Sequence, residues 1–503
     1  MKNKYNLYWG EIHSHTRFGH VEISDPEVGS PEYMCQWAKN HLNFFAMTEH
    51  NDWLADDPGE KKRDKIEVKT EKWERIQKAV AINNQPGVFV TFLGFEWSST
   101  PYGDHNVYYL EDYQPLYLPN NIDQLYEIME THKAIVIPHH TGYKVGDRGK
   151  DWQYHKAELS PFVEIYSCHG SSECVDGPFP LNTVPALAPR CMGGTVQEAL
   201  NQGYKLGIMA SSDGHNGLPG PYGYGYIAVY ADKLTRESLW DAFLKRRIYG
   251  VTGDRIKLDF QINDHFMGEE FSEPGIRHIV ASIEGSDLID RIEVIKNGRV
   301  IATHNHLMEL SYLSAGVKAE PLQVKLRIEW GWGKRGTKKK WVGELQIKGG
   351  EILEVEPCFQ FFSRIKDKSS DFINWESIMD MTPEFLSLTS NPNKTDSIVV
   401  KIQGTPTTQL TLRVNSKELR FSLGEIMQKD IVEEVESERA NIYDYAKFNK
   451  LHVHRAIPEP EYQVKFAFQD KGPEKETDYY YLRVTQRNGQ MAWSSPIWVS
   501  SIR

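Results

Sequence analysis

Histidines and carboxylates are the residues of this chain whose spacing could do chemistry, and the densest set stands near its start. The stretch YWGEIHSHTRFGH, residues 8–20, carries His13, His15 and His20 within eight positions. On an extended strand, positions i and i+2 project to the same face, so His13 and His15 can converge on one metal ion. An H-x-H pair alone is weak: 18 histidines in 503 positions give about 0.6 such pairs by chance, and the chain holds three. The other two, His304/His306 and His452/His454, fall in stretches read as loops of a β-rich region without carboxylate company, and are taken as surface histidines.

The first pair differs in what stands at later strand ends. AMTEH ends in His50, FLGFE in Glu96, IVIPHH in His139 and His140, VEIYSCH in His169, and ASSDGH in Asp213 and His215. Parallel strands of a barrel bring their C-terminal ends to one face. Successive ends tipped with nitrogen and oxygen donors therefore read as one metal site. Mixed imidazole and carboxylate ligands suit Zn, Mn or Fe. A water bridging two such ions is acidified towards hydroxide and becomes a nucleophile, and the same ions neutralise a phosphate. No G-x-S-x-G or P-loop pattern competes. Among flanking residues, His105 is a candidate to bind substrate or to donate a proton to the leaving group, against a purely structural hydrogen bond. Arg17 sits beside the first motif. Lys144 and Arg148, in the loop after His140, could recognise phosphate or simply be solvated.

Parallel strands and helices must position these residues. Before about residue 255, short apolar runs such as FFAMTEH, VFVTFLGFE and LGIMASSDGH alternate with helix signals. Ser30-Pro31 supplies an N-cap and a first-turn proline, and Thr195 with Glu198 has capping-box spacing. Repeated strand–helix alternation predicts a parallel α/β sheet, closed or open. After residue 255, KLDFQIND, RIEVIKNGRVIA and LQVKLRIEW alternate apolar and polar residues with turns such as Asn297-Gly298. That texture predicts a mostly antiparallel β-sandwich over 256–503, with helical or loop insertions near 364–390 and 424–448.

Composition narrows the partners. Against 58 basic residues stand 69 acidic ones, a formal net charge of −11, which repels nucleic acid and anionic membranes at long range. No run approaches the ~18 apolar residues of a membrane span, and no signal peptide is visible, so a cytoplasmic location is expected. Five cysteines without short-spaced pairs argue against a disulfide framework.

The ordered motifs G-E-I-H-S-H-T, T-E-H, G-F-E, P-H-H and S-S-D-G-H resemble those of the PHP (polymerase and histidinol phosphatase) superfamily over about residues 5–255. QMAWSSPIWV and RRIYGVTGDRI further resemble a PHP-like subgroup with a C-terminal β domain. The resemblance implies a distorted (β/α)7 TIM-like barrel over 1–255 holding two or three divalent ions. By position, His13, His15, Glu96 and Asp213 would form the first metal site. Glu96 would bridge to a second ion held by His139 and His169, with His140 as the competitor of His139. A third ion would take His50, His215 and either His20 or Glu22. Glu96, Asp213 and His105 are then the candidate catalytic residues, and Arg17, His105 and Lys144 the candidate substrate contacts. The family commonly has Asp where Glu11 and Glu49 stand.

The expected function is a metal-dependent hydrolase, a phosphoesterase acting through a metal-bridging hydroxide on a small, anionic, phosphorylated substrate. The β domain would cover the barrel mouth or join two subunits into a homo-oligomer. The alternatives are hydrolysis of a lactone, amide or sugar ester, and an accessory protein that binds a carbohydrate or a partner.

Overall fold

The computed structural model describes residues 4–19, 27–55, 66–181, 190–307, 321–331, 336–382, 395–436 and 449–501. The molecule is mixed α/β, rich in sheet and sparing in helix. The apolar run VTFLGFEW forms a strand, Val90–Trp97, buried along its whole length. It pairs in parallel with Phe44–Met47, which pairs in parallel with Asn6–Glu11. The strand His105–Tyr109 is then inserted antiparallel between Val90–Trp97 and Ala134–Pro138. On the other side of Asn6–Glu11 lie Tyr226–Ala231 and Ile248–Val251, both joined by antiparallel ladders.

The strands Phe162–Ser167 and Gly207–Ala210 pair in parallel in a separate small sheet. Among the described residues no closed barrel forms, which corrects the TIM-like (β/α)7 expectation. Two features stand in its way. Antiparallel strands occupy places where parallel ones were expected. The small sheet also packs on the face of Ile248–Val251 instead of pairing with its edge. A Cβ added at Gly250 would lie 2.7 Å from Ala210 N and 2.8 Å from Met209 C, so only glycine permits this approach.

Helices are short and capped as their sequences predict. Ser30 accepts from the Tyr33 amide at the start of Pro31–Ala38, and Thr195 with Glu198 makes a full capping box on Val196–Asn201. No helix among the described residues is long and apolar enough to cross a membrane.

Beyond residue 256, one antiparallel sheet contains Glu351–Cys358, Thr395–Gly404, Leu322–Gly331 and Lys450–Val453, and another contains Phe362–Lys368, Phe372–Asp380, Lys338–Lys348 and Gln409–Val414. Their apolar faces share one core, in which the Trp330 and Trp375 rings stack at 5.1 Å. The expected insertion at 364–390 is instead a β-hairpin up to Asp380; its remainder, 383–394, lies outside the described residues. The 424–448 insertion contributes the one-turn helix Leu423–Ile426 and the strand Ile431–Glu434, and 437–448 lies outside the described residues.

The later H-x-H pairs are only in part loop-borne, His454 standing just past a strand, and they do have carboxylate company, with His452 Nε2 2.9 Å from Asp430 Oδ2 and His454 Nε2 2.9 Å from Glu329 Oε2. His304 lies on Arg299–Asn305 and His452 on Lys450–Val453, while His306 is buried with Nε2 2.7 Å from Pro460 O. The sheet also runs across residue 255. Met491–Ser494 pairs antiparallel with Ile248–Val251, bringing Trp493 opposite Gly250. Chain from both ends is thereby buried in one hydrophobic core, from Trp9 to Val499.

Candidate metal centre

Beyond the ends of the ladders, single backbone hydrogen bonds hold the loops in place. The Asp213 amide donates to His13 O at 2.9 Å, the His15 amide to Gly214 O at 3.0 Å, and the Glu96 amide to Glu49 O at 3.0 Å. The His139 amide donates to Asp104 O at 3.3 Å. These bonds bring residues from five separated strand ends into one buried cluster.

Two carboxylates organise it. Glu96 directs Oε2 to His13 Nε2 (3.4 Å) and His15 Nε2 (3.2 Å), and Oε1 to His139 Nε2 (3.2 Å) and His50 Nδ1 (3.5 Å). Asp213 directs Oδ1 to His13 Nε2 (3.3 Å) and His15 Nε2 (3.1 Å), and Oδ2 to His169 Nε2 (3.0 Å). Each carboxylate thus divides its oxygens between two groups of imidazoles. Donor atoms lie within 4.8 Å of one another in the sets His13/His15/Glu96/Asp213, His15/His50/His215, His13/His139/Glu164 and Cys168/His169/Asp213.

The chemistry of these donors fits divalent ions. Both ring nitrogens of His139 are buried, and their nearest acceptors are the two carboxylates, Glu96 Oε1 at 3.2 Å from Nε2 and Asp213 Oδ2 at 3.8 Å from Nδ1. Burial, joined by the neighbouring His140 and His13, pushes the His139 pKa down to about 3. Burial and the neighbouring His15 likewise push His215 down to about 3. Neutral imidazoles are the form that binds a metal; against burial, Asp213 and Glu164 raise His13 to about 10, and Asp213, Glu49 and Glu96 raise His15 well above its ordinary value, so an ion bound at these two takes the place of a proton. Burial opposes ionisation of Glu96 and Asp213, yet the surrounding histidines hold both carboxyls well below the usual range.

The remaining sequence candidates are placed as follows. His50 Nδ1 lies 2.8 Å from Ser98 Oγ, and the His215 ring stacks on His15 at 3.9 Å. His140 turns to Asp104, with Nε2 3.2 Å from Oδ2, while His139 faces Glu96. His20 and Glu22 lie outside the described residues. His105 is fully buried, with Nδ1 2.8 Å from Gly103 O and Nε2 unpartnered; burial and the Lys150 charge lower its pKa well below the usual value. Arg17 is half-buried, its amide donating to Gly29 O at 2.8 Å. Lys144 is exposed at a turn. From the same loop, Arg148 donates to Asp104, which also lies 3.2 Å from His140 Nε2, and the charges of Asp104, Glu96 and Asp213 all raise the Arg148 pKa.

Sequence reasoning missed Glu164, whose Oε2 lies 2.8 Å from His13 Nδ1. Burial pushes its carboxyl up to about 7 against the pull of His13. Its signal was a lone acid in the apolar strand FVEIYS. Glu49 plays a matching part behind His15, with Oε1 3.4 Å from Nδ1 and Oε2 accepting from the Thr16 amide (3.0 Å) and hydroxyl (2.8 Å). Three residues here hold left-handed backbone: His140 (φ 33°), Arg148 (φ 65°) and Asp213 (φ 50°). Such strain in non-glycine residues concentrates at functional sites.

Comparison with known proteins places this geometry among uncharacterised relatives. Residues 28–177 and 221–283 match the family model described as protein of unknown function (DUF3604). The matched residues include His50, Glu96, His139 and His169, whereas His13, His15, Asp213 and His215 lie outside them. An uncharacterized protein of Chlamydia pneumoniae is 30% identical over 325 residues, covering 59% of this chain and 48% of that protein. One of Chlamydia trachomatis serovar D is 28% identical over 327 residues, covering 59% and 49%. The chain therefore spans about half the length of the curated relatives it matches. Among solved structures, a two-domain protein of Bacteroides vulgatus containing a predicted PHP-like metal-dependent phosphoesterase is 15% identical with a TM-score of 0.37, over 58% of this chain and 80% of that chain. PsfC of Pseudomonas syringae is 14% identical with a TM-score of 0.31, over 49% and 91%.

Proposed function

We propose that the protein is a metal-dependent hydrolase, a phosphoesterase of PHP type, acting on a small anionic substrate. The observation that carries this reading is the division of the Glu96 and Asp213 oxygens between two groups of imidazoles. That arrangement suits two adjacent ions sharing bridging carboxylates. His13, His15, Glu96 and Asp213 would hold one ion, and Glu96, His139 and His169 a second, where Asp213, with Oδ2 beside His169, would also serve. His50 and His215 would serve a third, with the candidates His20 and Glu22. Zn, Mn or Fe bound there would supply positive charge that acidifies water and neutralises a phosphoryl group.

The chain's own groups do the rest. Glu164 and Glu49 orient His13 and His15 through their Nδ1 atoms, aiming both Nε2 atoms inward. Arg148, anchored on Asp104, offers guanidinium donors to the substrate's anionic group. His105, held neutral with Nδ1 on Gly103 O, leaves Nε2 as the atom that would contact substrate or take part in proton transfer. Residues 1–255 would carry the chemistry, and 256–503 would complete the walls around it.

The test is elemental analysis of protein purified without chelator, together with turnover of a panel of phosphomonoesters, phosphodiesters, esters and lactones. Two or three transition-metal ions per chain are expected, with phosphoester turnover lost on chelation and restored by metal. Less than one ion per folded chain would overturn the reading, as would turnover indifferent to chelator.

A further inference from the structure

A cleft of about 560 Å³ opens between the loop carrying His169 and the later β-sheets. Cys168 and Gly170, the neighbours of His169, form part of one wall. His169 and His215 have 16% and 30% of their side chains exposed, and Cys168 Sγ, on the cleft wall, lies 3.2 Å from Asp213 O, so the cleft adjoins the loops of the metal centre. The opposite wall comes from residues far along the chain, including Arg327, Gln360, His454 and Arg487. The volume falls within the roughly 300–1,000 Å³ of small-molecule sites.

The charges of this wall are matched within it. Arg327 lies 2.7 Å from Asp254, Arg487 3.4 Å from Asp287, and His454 Nε2 2.9 Å from Glu329. No surplus positive charge is left among these pairs to seat a second phosphate. Tyr166, Phe179 and Tyr222 also line the cleft, with Tyr166 stacked on Trp493 at 5.9 Å and the Arg327 guanidinium over the Tyr222 ring. Gln360 is the telling residue. Only 8% of it is exposed, it lines the cleft, and among the described residues its side-chain amide makes no hydrogen bond; only its backbone amide is bonded, to Asp396 Oδ1 at 2.7 Å. Its two donors and one acceptor are therefore open to a partner at the cleft surface. Arg487, 44% exposed and touched by a single carboxylate, has further donors to offer.

We infer that this cleft seats the uncharged, hydroxyl-rich body of the substrate, a sugar, while the group to be hydrolysed faces the His/Asp/Glu cluster. Ring carbons lie against the side chains of Tyr166, Phe179 and Tyr222, and hydroxyls pair with the Gln360 amide and the Arg487 guanidinium. The substrate class is then a sugar ester of an anionic group. The assignment of the ester rests on the hydrolase reading; occupation of the cleft by a sugar does not.

The experiment is saturation-transfer NMR on the full chain, with glucose, galactose, mannose, maltose and cellobiose as probes and adenosine as a different class. Transfer to at least one sugar is expected, reduced at least fivefold in Gln360→Ala and retained in His13→Ala, which removes a metal ligand that does not line the cleft. Arg487→Ala, at a half-exposed position, serves if Gln360→Ala does not fold. No transfer to any sugar, transfer to adenosine alone, or undiminished transfer in both variants overturns the inference. Sugar binding without turnover of any ester would overturn the hydrolase reading alone, and turnover without sugar transfer would overturn this one alone.

Discussion

Glu164 Oε2 lies 2.8 Å from His13 Nδ1, and both side chains are withdrawn from solvent. That hydrogen bond fixes the ring so that Nε2 faces Glu96 and Asp213. Partners behind a metal-binding imidazole typically change metal affinity by about 10–100-fold. Glu164→Ala should therefore weaken metal binding by about that factor, with Glu164→Gln restoring part of it. Competition with a chromogenic chelator reads the affinity; equal affinity in wild type and Glu164→Ala would show that Glu164 only fills space.

His13→Ala and Asp213→Ala should each abolish turnover and lower the metal content while leaving the far-ultraviolet circular dichroism unchanged. Asp213 touches two groups of imidazoles, so its loss should release more metal than the loss of His50. Elemental analysis of the three variants side by side decides this; full metal content in Asp213→Ala contradicts the shared-carboxylate geometry.

Arg148→Ala should raise KM for anionic substrates by roughly tenfold to a hundredfold, the worth of a charge-assisted hydrogen bond of about 1.5–3 kcal/mol. Steady-state kinetics on a phosphomonoester checks it, and an unchanged KM would remove Arg148 from substrate recognition.

Glu284 ties two sheets together through Lys325 (3.1 Å), Lys257 (3.3 Å) and Lys401 (3.3 Å). Burial alone would raise its pKa, but these three ammonium groups outweigh burial and hold it at about 2 instead of 4.5. A carboxyl whose folded pKa is depressed stabilises the fold fully above its unfolded value and loses that contribution as pH falls through the folded one. The wild-type melting temperature should therefore exceed that of Glu284→Gln at pH 6, and the gap should narrow between about pH 4.5 and 2. A gap of constant size at pH 6 and pH 3 would contradict the linkage.

Gly250→Val should destabilise the protein by at least about 1–3 kcal/mol, because the added carbons meet the backbone of Met209 and Ala210. The strand Gly207–Ala210 leads directly to Asp213, so metal content should fall with the melting temperature. Thermal melting with and without added Zn measures both effects; a variant as stable as wild type would show that the two sheets can move apart freely.

The sequence by itself determined which side chains were available for metal chemistry. His13 and His15 were marked by their i, i+2 spacing, although they stand just past the strand Asn6–Glu11 and not on it, and Glu96, His139, His169 and Asp213 lie at or after apolar runs that had to become buried strands. Helix starts at Ser30 and Thr195 were equally legible, because capping is a local pairing of side chain and backbone. Local patterns could not tell that His105–Tyr109 enters the sheet antiparallel, since an apolar run looks the same in either direction. Nor could they place Glu164 behind His13, a contact across 151 residues. Only the tertiary structure decided these, along with the pairing of Met491–Ser494 with Ile248–Val251 and the meeting of Gln360 with the His169 loop. Each depends on which distant surfaces bury together, a property of the whole packed chain that no stretch of neighbouring residues records.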